Sequence, residues 1–563
     1  MQSSPSHREN TTFETNPILL SLSEDDIELD TSEIEIEKIA SKYSKRRSSE
    51  RNRRMFFFVI LLSIVFIVAT FTVLHQNFSS RGTRFKNNDN SKKIPKHPEF
   101  KHLKSQFIPG YQASMHLFRH EKTLAEFIAY IPIDKNQDKA FGISFRTKPT
   151  SDNGVAHILE HSVLSGSKKY PSKDPFVHLL KGSLNTFLNA MTYNDRTVYP
   201  IASRNKKDFF NLMSVYLDAV FFPKCVEKGS EWILKQEGWR YDFDDSANFD
   251  KNGTSIYATN GARRDLVVKG VVYSEMKGVF SDPESLLSTY TDKYLFPDNT
   301  YSYTSGGDPE FIPTLTQKEF SDFHKKYYHP TNSQTFISGT LEDIEKSMEL
   351  IDSEYLSKFD VNPNVKEESQ ISYQKKKFAN QLNQSRPYAV SEEKDNEGQH
   401  LLSITWLLND SIMKPLLEIS FYVLDYLLVG TKSAPLYKKL IDSGLGSNII
   451  GNGLSVGLLQ STFCIGMEGV RKGNVADLEY KILGVLSEIE QDGFSDDDIK
   501  AALNSIEFQV SHSYIISFFK NKPKKINSHS NFYLPFHVVK GSSHRINANG
   551  IDCVLLFVAK MEL

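Results

Sequence analysis

Cysteine is scarce in this chain. Three occur in 563 residues, Cys225, Cys464 and Cys553, far apart. That excludes a disulfide framework and a cysteine-based zinc site. Neither sign of charge dominates. The 67 basic and 69 acidic side chains leave a net charge of −2, which removes any global electrostatic case for a nucleic-acid partner. Repeats of short period are lacking as well, so the chain does not read as a solenoid or array. Long apolar runs are missing too, with one exception near the N-terminus.

That exception is Met55–Leu74, twenty residues without a charge, enough to cross a hydrocarbon core of roughly 30 Å. Residues 1–54 precede it as a polar tail, acidic from Glu24 to Glu37 and then basic at Lys45, Arg46, Arg47, Arg51, Arg53 and Arg54. Such a tail is expected to be disordered. The basic cluster predicts a cytoplasmic tail, a single-pass membrane anchor at 55–74 and a C-terminal body that is lumenal or extracellular. No small-residue cleavage site follows the apolar run, and the tail carries too many acids for a transit peptide. Residues 75–106 read as a polar linker. With a lumenal body, Asn77-Phe-Ser79 would be a glycosylation acceptor.

Folded patterning is expected from Phe107. Met115–Phe118, Phe127–Pro132 and Ala140–Phe145 pattern as strands. A helix follows at 155–164, another at 174–181, a strand over 185–192 and a long helix over 206–222 that stops at Pro223. Strands followed by long helices predict an α+β layer architecture. The Asp-, Asn- and Gly-rich stretch 242–264 reads as a surface insertion.

The helix at 155–164 carries the chemistry. At about 100° per residue, Val155, Ile158, Leu159 and Val163 fall on one face, while His157 and His161 stand one turn apart on the other with Glu160 beside them. H-x-x-E-H is the inverted zinc-peptidase signature. Two neutral imidazoles at i and i+4 can converge on one Zn²⁺, with a third protein ligand arriving from elsewhere and water in the fourth position. Glu160 is then free to take that water's proton and pass it to a leaving amine.

Around this helix the chain resembles the front half of the pitrilysin/insulinase metallopeptidases, in the presequence protease and falcilysin subfamily. The resemblance rests on Gly154-Val-Ala-His157-Ile-Leu-Glu160-His161, Lys169-Tyr-Pro-Ser-Lys-Asp-Pro175 and Thr186-Phe-Leu-Asn-Ala-Met-Thr192. It continues through Gln236-Glu-Gly-Trp239, Lys269-Gly-Val-Val-Tyr-Ser-Glu275-Met-Lys-Gly278 and Tyr303-Thr-Ser-Gly-Gly-Asp-Pro309. Two glutamates, Glu237 and Glu275, compete for the third ligand position. The resemblance selects Glu275 and leaves Glu237 a structural or supporting role. It also implies that Asn189 and Ala190 sit on an edge strand that takes a substrate peptide as an added strand, a mode that recognises backbone more than sequence.

The implied organisation is a catalytic zinc-peptidase domain at 107–365 and a second pitrilysin-type domain at 366–510, each a mostly antiparallel sheet packed with helices. Residues 511–563 form an atypical tail that reads as a truncation or misread gene model. The implied function is hydrolysis of short unstructured peptides, with one Zn²⁺ per chain on His157, His161 and Glu275 and with Glu160 as general base. Family members carry four such domains, so a missing C-terminal half or partner chain is expected. The alternative is a membrane-anchored peptide-binding or assembly subunit with little or no activity, and the alternative address is a mitochondrion or other organelle.

Overall fold

The computed structural model describes residues 93–172, 175–243, 266–376, 378, 381–390, 399–518 and 555–562. The tail at 1–54 and the apolar stretch at 55–74 lie outside them. Among the described residues, no helix is long and apolar enough to cross a membrane.

The first layer is a sheet built from β1 (Phe100–Ile108), β2 (Ala113–His120), β3 (Glu126–Pro132), β4 (Lys139–Arg146), β5 (Asn185–Leu188), β6 (Met191–Thr192), β7 (Arg196–Ser203) and a late strand, Ser333–Ser338. Its order is β1-β2-β3-(333–338)-β4-β7-β5, with β6 also on β7. Every pairing is antiparallel except that of 333–338 with β3. One face is buried at period two: Phe127, Ala129 and Ile131 on β3, Phe141, Ile143 and Phe145 on β4, Tyr199 and Ile201 on β7.

Helices cover that face. They include α1 (Val155–Val163), α2 (Pro175–Gly182), α3 (Lys206–Phe221) and α4 (Glu231–Glu237), then α5 (Val271–Val279), α7 (Gln317–Tyr327) and α8 (Leu341–Glu354), while α6 (Pro283–Leu295) packs on a second sheet. Asn205 caps α3, its side chain accepting from the amides of Lys207 and Asp208. Buried Phe209, Leu212, Met213, Tyr216 and Val220 then recur at helical spacing on its inner side. The strand Arg240–Phe243 (β8) pairs with Leu266–Lys269 (β9), bracketing residues 244–265, so most of the expected insertion lies outside the described residues.

The expected linker at 75–106 ends too late. Strand β1 starts at Phe100, which is 4% exposed. Most of β1 is polar and exposed, as an edge strand is, and this hid it in the sequence.

A second sheet holds β11 (Leu382–Pro387), β12 (His400–Leu407), β13 (Asn448–Ser455), β14 (Thr462–Val470) and β15 (Leu555–Glu562), with 333–338 counting as β10. Its order is β11-β15-β12-β14-β13. Leu402, Ile404, Ile465 and Met467 form a core with Leu436, Leu440, Leu478 and Ile482 from the helices Pro435–Ile441 and Val475–Asp492. Of residues 511–563, the atypical tail of the sequence reading, 511–518 and 555–562 are described. The helix begun at Asp496 runs to Phe518, and β15 pairs with both β11 and β12.

Candidate metal centre

Helix α1 roots the site in the core. Ile158, Leu159 and Val163 are fully buried against the sheet and its helices. The helix begins at Gly154, whose φ is +68°; a Cβ there would sit 2.9 Å from both the Gly306 carbonyl oxygen and the Gly307 Cα. Only glycine allows that approach. It brings the segment Tyr303–Asp308 over the start of α1, so that the Gly306 carbonyl lies 3.1 Å from His157 Nδ1.

The other nitrogen of that ring points elsewhere. His157 Nε2 and His161 Nε2 lie 3.7 Å and 3.8 Å from the same atom, Glu275 Oε2. Ligand atoms of these three residues all fall within 4.8 Å of one another. In a tetrahedral zinc site with bonds near 2.05 Å, neighbouring ligand atoms are about 3.4 Å apart. The two distances to Glu275 Oε2 exceed that by only a few tenths of an ångström. Two imidazoles and a carboxylate are also the donor set zinc favours where one position stays open. The residues fit the metal.

Glu237 meets the opposite side of the second imidazole. Its Oε2 is 3.4 Å from His161 Nδ1, and its Oε1 accepts a hydrogen bond from Gln236. At 8% exposure it is a buried carboxylate. Helix α4, which ends in Glu237, packs against both α1 and α5. Each histidine thus offers Nε2 to the Glu275 side and rests its Nδ1 on an oxygen outside the cluster, an arrangement that fixes ring orientation in metal sites. Burial alone would lower the pKa of His161. The hydrogen bond it donates to Glu237 and the charges of Glu160, Glu237 and Glu275 outweigh it and raise the pKa above the ordinary value.

Glu160 is 8% exposed on α1. Its charge acts on three buried tyrosines, Tyr199, Tyr216 and Tyr328. Burial first, and the Glu160 charge among the further causes, push their hydroxyls well above the ordinary phenol value, so they stay protonated and able to donate. Asn189 and Ala190 fall in the break between β5 and β6, on the outer strand of the sheet beside β7. Asn189 is exposed, its amide donates to the Pro200 carbonyl, and its own carbonyl accepts from the Tyr216 hydroxyl at 3.2 Å. Strand β6 packs against α1, which brings this edge beside the histidines. Sequence reasoning missed the Gly306 carbonyl; the Gly-Gly pair in Tyr303–Pro309 was the signal available for it.

Two family models match the chain. "Insulinase (Peptidase family M16)" covers residues 145–248, and "Peptidase M16 inactive domain" covers 314–506. Presequence protease 1 of Arabidopsis thaliana, described as chloroplastic/mitochondrial, is 42% identical over 419 residues. The chain belongs to the pitrilysin/insulinase family, on its presequence-protease-like branch. The Arabidopsis match takes in 74% of this chain and 37% of that protein. Protein HypA of Clostridium perfringens is 41% identical over 396 residues, 70% of this chain and 38% of its own length. The mouse mitochondrial presequence protease is 36% identical over 395 residues, 70% and 36% respectively. The chain therefore spans a little over a third of these family members. In fold it is similar to the peptidase M16 inactive domain of Pseudomonas fluorescens, with a TM-score of 0.53 at 14% identity over 80% of this chain and 98% of that one.

Proposed function

We propose that this chain is the zinc-bearing part of a metalloendopeptidase that hydrolyses short, unstructured peptides. One observation carries the reading: His157 Nε2 and His161 Nε2 converge on Glu275 Oε2, with buried Glu160 on the same helix. His157, His161 and Glu275 would hold one zinc per chain, which when bound supplies Lewis acidity to a water molecule and to the scissile carbonyl. Glu160 removes the proton from the attacking water and delivers it to the amine nitrogen as the C–N bond breaks. Glu237 and the Gly306 carbonyl keep the two imidazoles turned toward the reaction. The sheet edge at Asn189 and Ala190 binds the peptide backbone, and only an extended, unfolded segment can add to a sheet edge.

A second reading has its own support. The match to an inactive domain over 314–506 leaves open a membrane-anchored peptide-binding or assembly subunit with little or no activity. The presence of Glu160, which binding alone does not require, favours the peptidase. The relatives' names support an organellar address, with the stretch 55–74 as the anchor of the body. The test is degradation of an unstructured peptide by the purified full chain. Glu160→Gln should abolish cleavage while zinc stays bound; cleavage at the wild-type rate by that variant would overturn the mechanism.

A further inference from the structure

Beyond the metal-facing residues, one lysine commands the ground beneath His157. Lys293, near the end of α6, has its Nζ 3.3 Å from Asp152 Oδ2 and 3.3 Å from Asp308 Oδ2. These acids sit at the two places where the Tyr303–Asp308 segment is fastened to the start of α1. Asp152 lies two residues before Gly154; its Oδ1 accepts from the Thr304 amide at 2.7 Å and its carbonyl from the Asp308 amide at 2.8 Å. Asp308 closes the segment, its Oδ1 accepting from the Glu310 amide at 3.0 Å. Each carboxylate therefore spends one oxygen on backbone and turns the other to the same ammonium. Between these two anchors lie Gly306, whose carbonyl faces His157 Nδ1, and Gly307, packed on Gly154.

Charge makes the arrangement depend on the lysine. The Asp152 and Asp308 side chains are 16% and 14% exposed, and Lys293 is 23% exposed. Without the cation, two mostly buried carboxylates would face one another, and like charges in a poorly solvated site repel strongly. The cheapest relief is for one end of the segment to lift away from α1. That withdraws the Gly306 carbonyl and frees the imidazole to turn. Helix α6 is itself held in place: Tyr290 and Tyr294 flank the Arg386 guanidinium of β11, at 5.9 Å and 5.0 Å.

We propose that Lys293 is a positioning residue for His157, clamping Asp152 and Asp308 so that the Gly306 carbonyl fixes the orientation of the metal-binding imidazole. The inference rests on the metal reading above. Its test is zinc affinity of the full chain, measured by competition with a chromogenic chelator. Lys293→Met should weaken zinc binding roughly tenfold or more, the loss expected when an outer partner of a ligand goes. Lys293→Arg, which keeps the cation between the two acids, should restore most of the affinity. Should Lys293→Met not fold, Asp308→Asn frees one end of the segment without unpaired charge and should weaken binding in the same direction. Either variant, folded and binding zinc within about twofold of wild type, overturns the assignment. So does Lys293→Arg failing to recover affinity while recovering the unfolding midpoint, since the lysine would then be structural only. Wild-type protein that binds no zinc would instead overturn the metal reading itself, a result distinct from any of these.

Discussion

Exchanging the two competing glutamates for glutamine, one at a time, separates a ligand from a supporter. Glu275 directs Oε2 at both Nε2 atoms, whereas Glu237 directs its Oε2 at His161 Nδ1, on the far side of that ring. An ion on His161 Nε2 is out of reach of a carboxylate placed there. Glu275→Gln removes one of three protein donors and the site's only negative ligand. If zinc binding is worth roughly 10 kcal/mol shared among the three, the loss is about 3 kcal/mol, more than a hundredfold in Kd. Glu237→Gln leaves the donor set whole and loosens one imidazole, a loss of about 10- to 100-fold, or ~1.4–2.7 kcal/mol. Chelator competition on the two variants and the wild type measures both values on one scale. The expected order is wild type tightest, then Glu237→Gln, then Glu275→Gln. A larger loss at Glu237 would refute the reasoning and make Glu237 the ligand.

Two further outcomes follow from the sequence and the fold. His324 is 7% exposed on α7, its Nε2 is 2.8 Å from the Val220 carbonyl, and burial pushes its pKa from 6.5 down to about 4. Above pH 6.5 both folded and unfolded chains carry it neutral. Between pH 6.5 and about 4 only the unfolded chain takes the proton, so stability falls with falling pH by up to ~3 kcal/mol and levels off below that window. Urea unfolding across this range should show that slope, and His324→Gln should flatten it; equal slopes would contradict the burial argument. The second concerns the anchor. A lumenal body predicts glycan at Asn77, removable by glycosidase, and protection of the body from protease added on the cytoplasmic side. Cleavage of the body from that side would overturn the lumenal orientation and leave the organellar address.

How much of this was legible in the sequence varies by element, for physical reasons. Helix α1 was plain, because Val155, Ile158, Leu159 and Val163 mark its buried face and the histidines its other face. The strands of the first sheet were readable where one side is buried, since alternation follows burial. Strand β1 was not, because an exposed edge imposes no alternation. The stretch 185–192 reads as one strand but is two, broken at Asn189–Ala190, where the Asn189 carbonyl turns to the Tyr216 hydroxyl. That break depends on a helix residue 27 positions away. Strand β15 pairs with partners 148 to 175 residues distant, and no local pattern encodes such a pairing. The choice between Glu237 and Glu275 likewise turns on which nitrogen of a ring each carboxylate meets. Sequence spacing does not contain that; family resemblance supplied the choice. The Lys293 clamp was invisible for the same reason, joining three residues spread over 157 positions through side chains alone.

The central claim is a zinc ion held by His157, His161 and Glu275, and metal analysis of the purified full chain tests it most directly. Elemental mass spectrometry after exhaustive dialysis should return about one zinc per chain for the wild type and close to none for His161→Ala, with both proteins folded. Wild-type protein free of zinc after loading, or His161→Ala retaining it at full occupancy, would contradict the account.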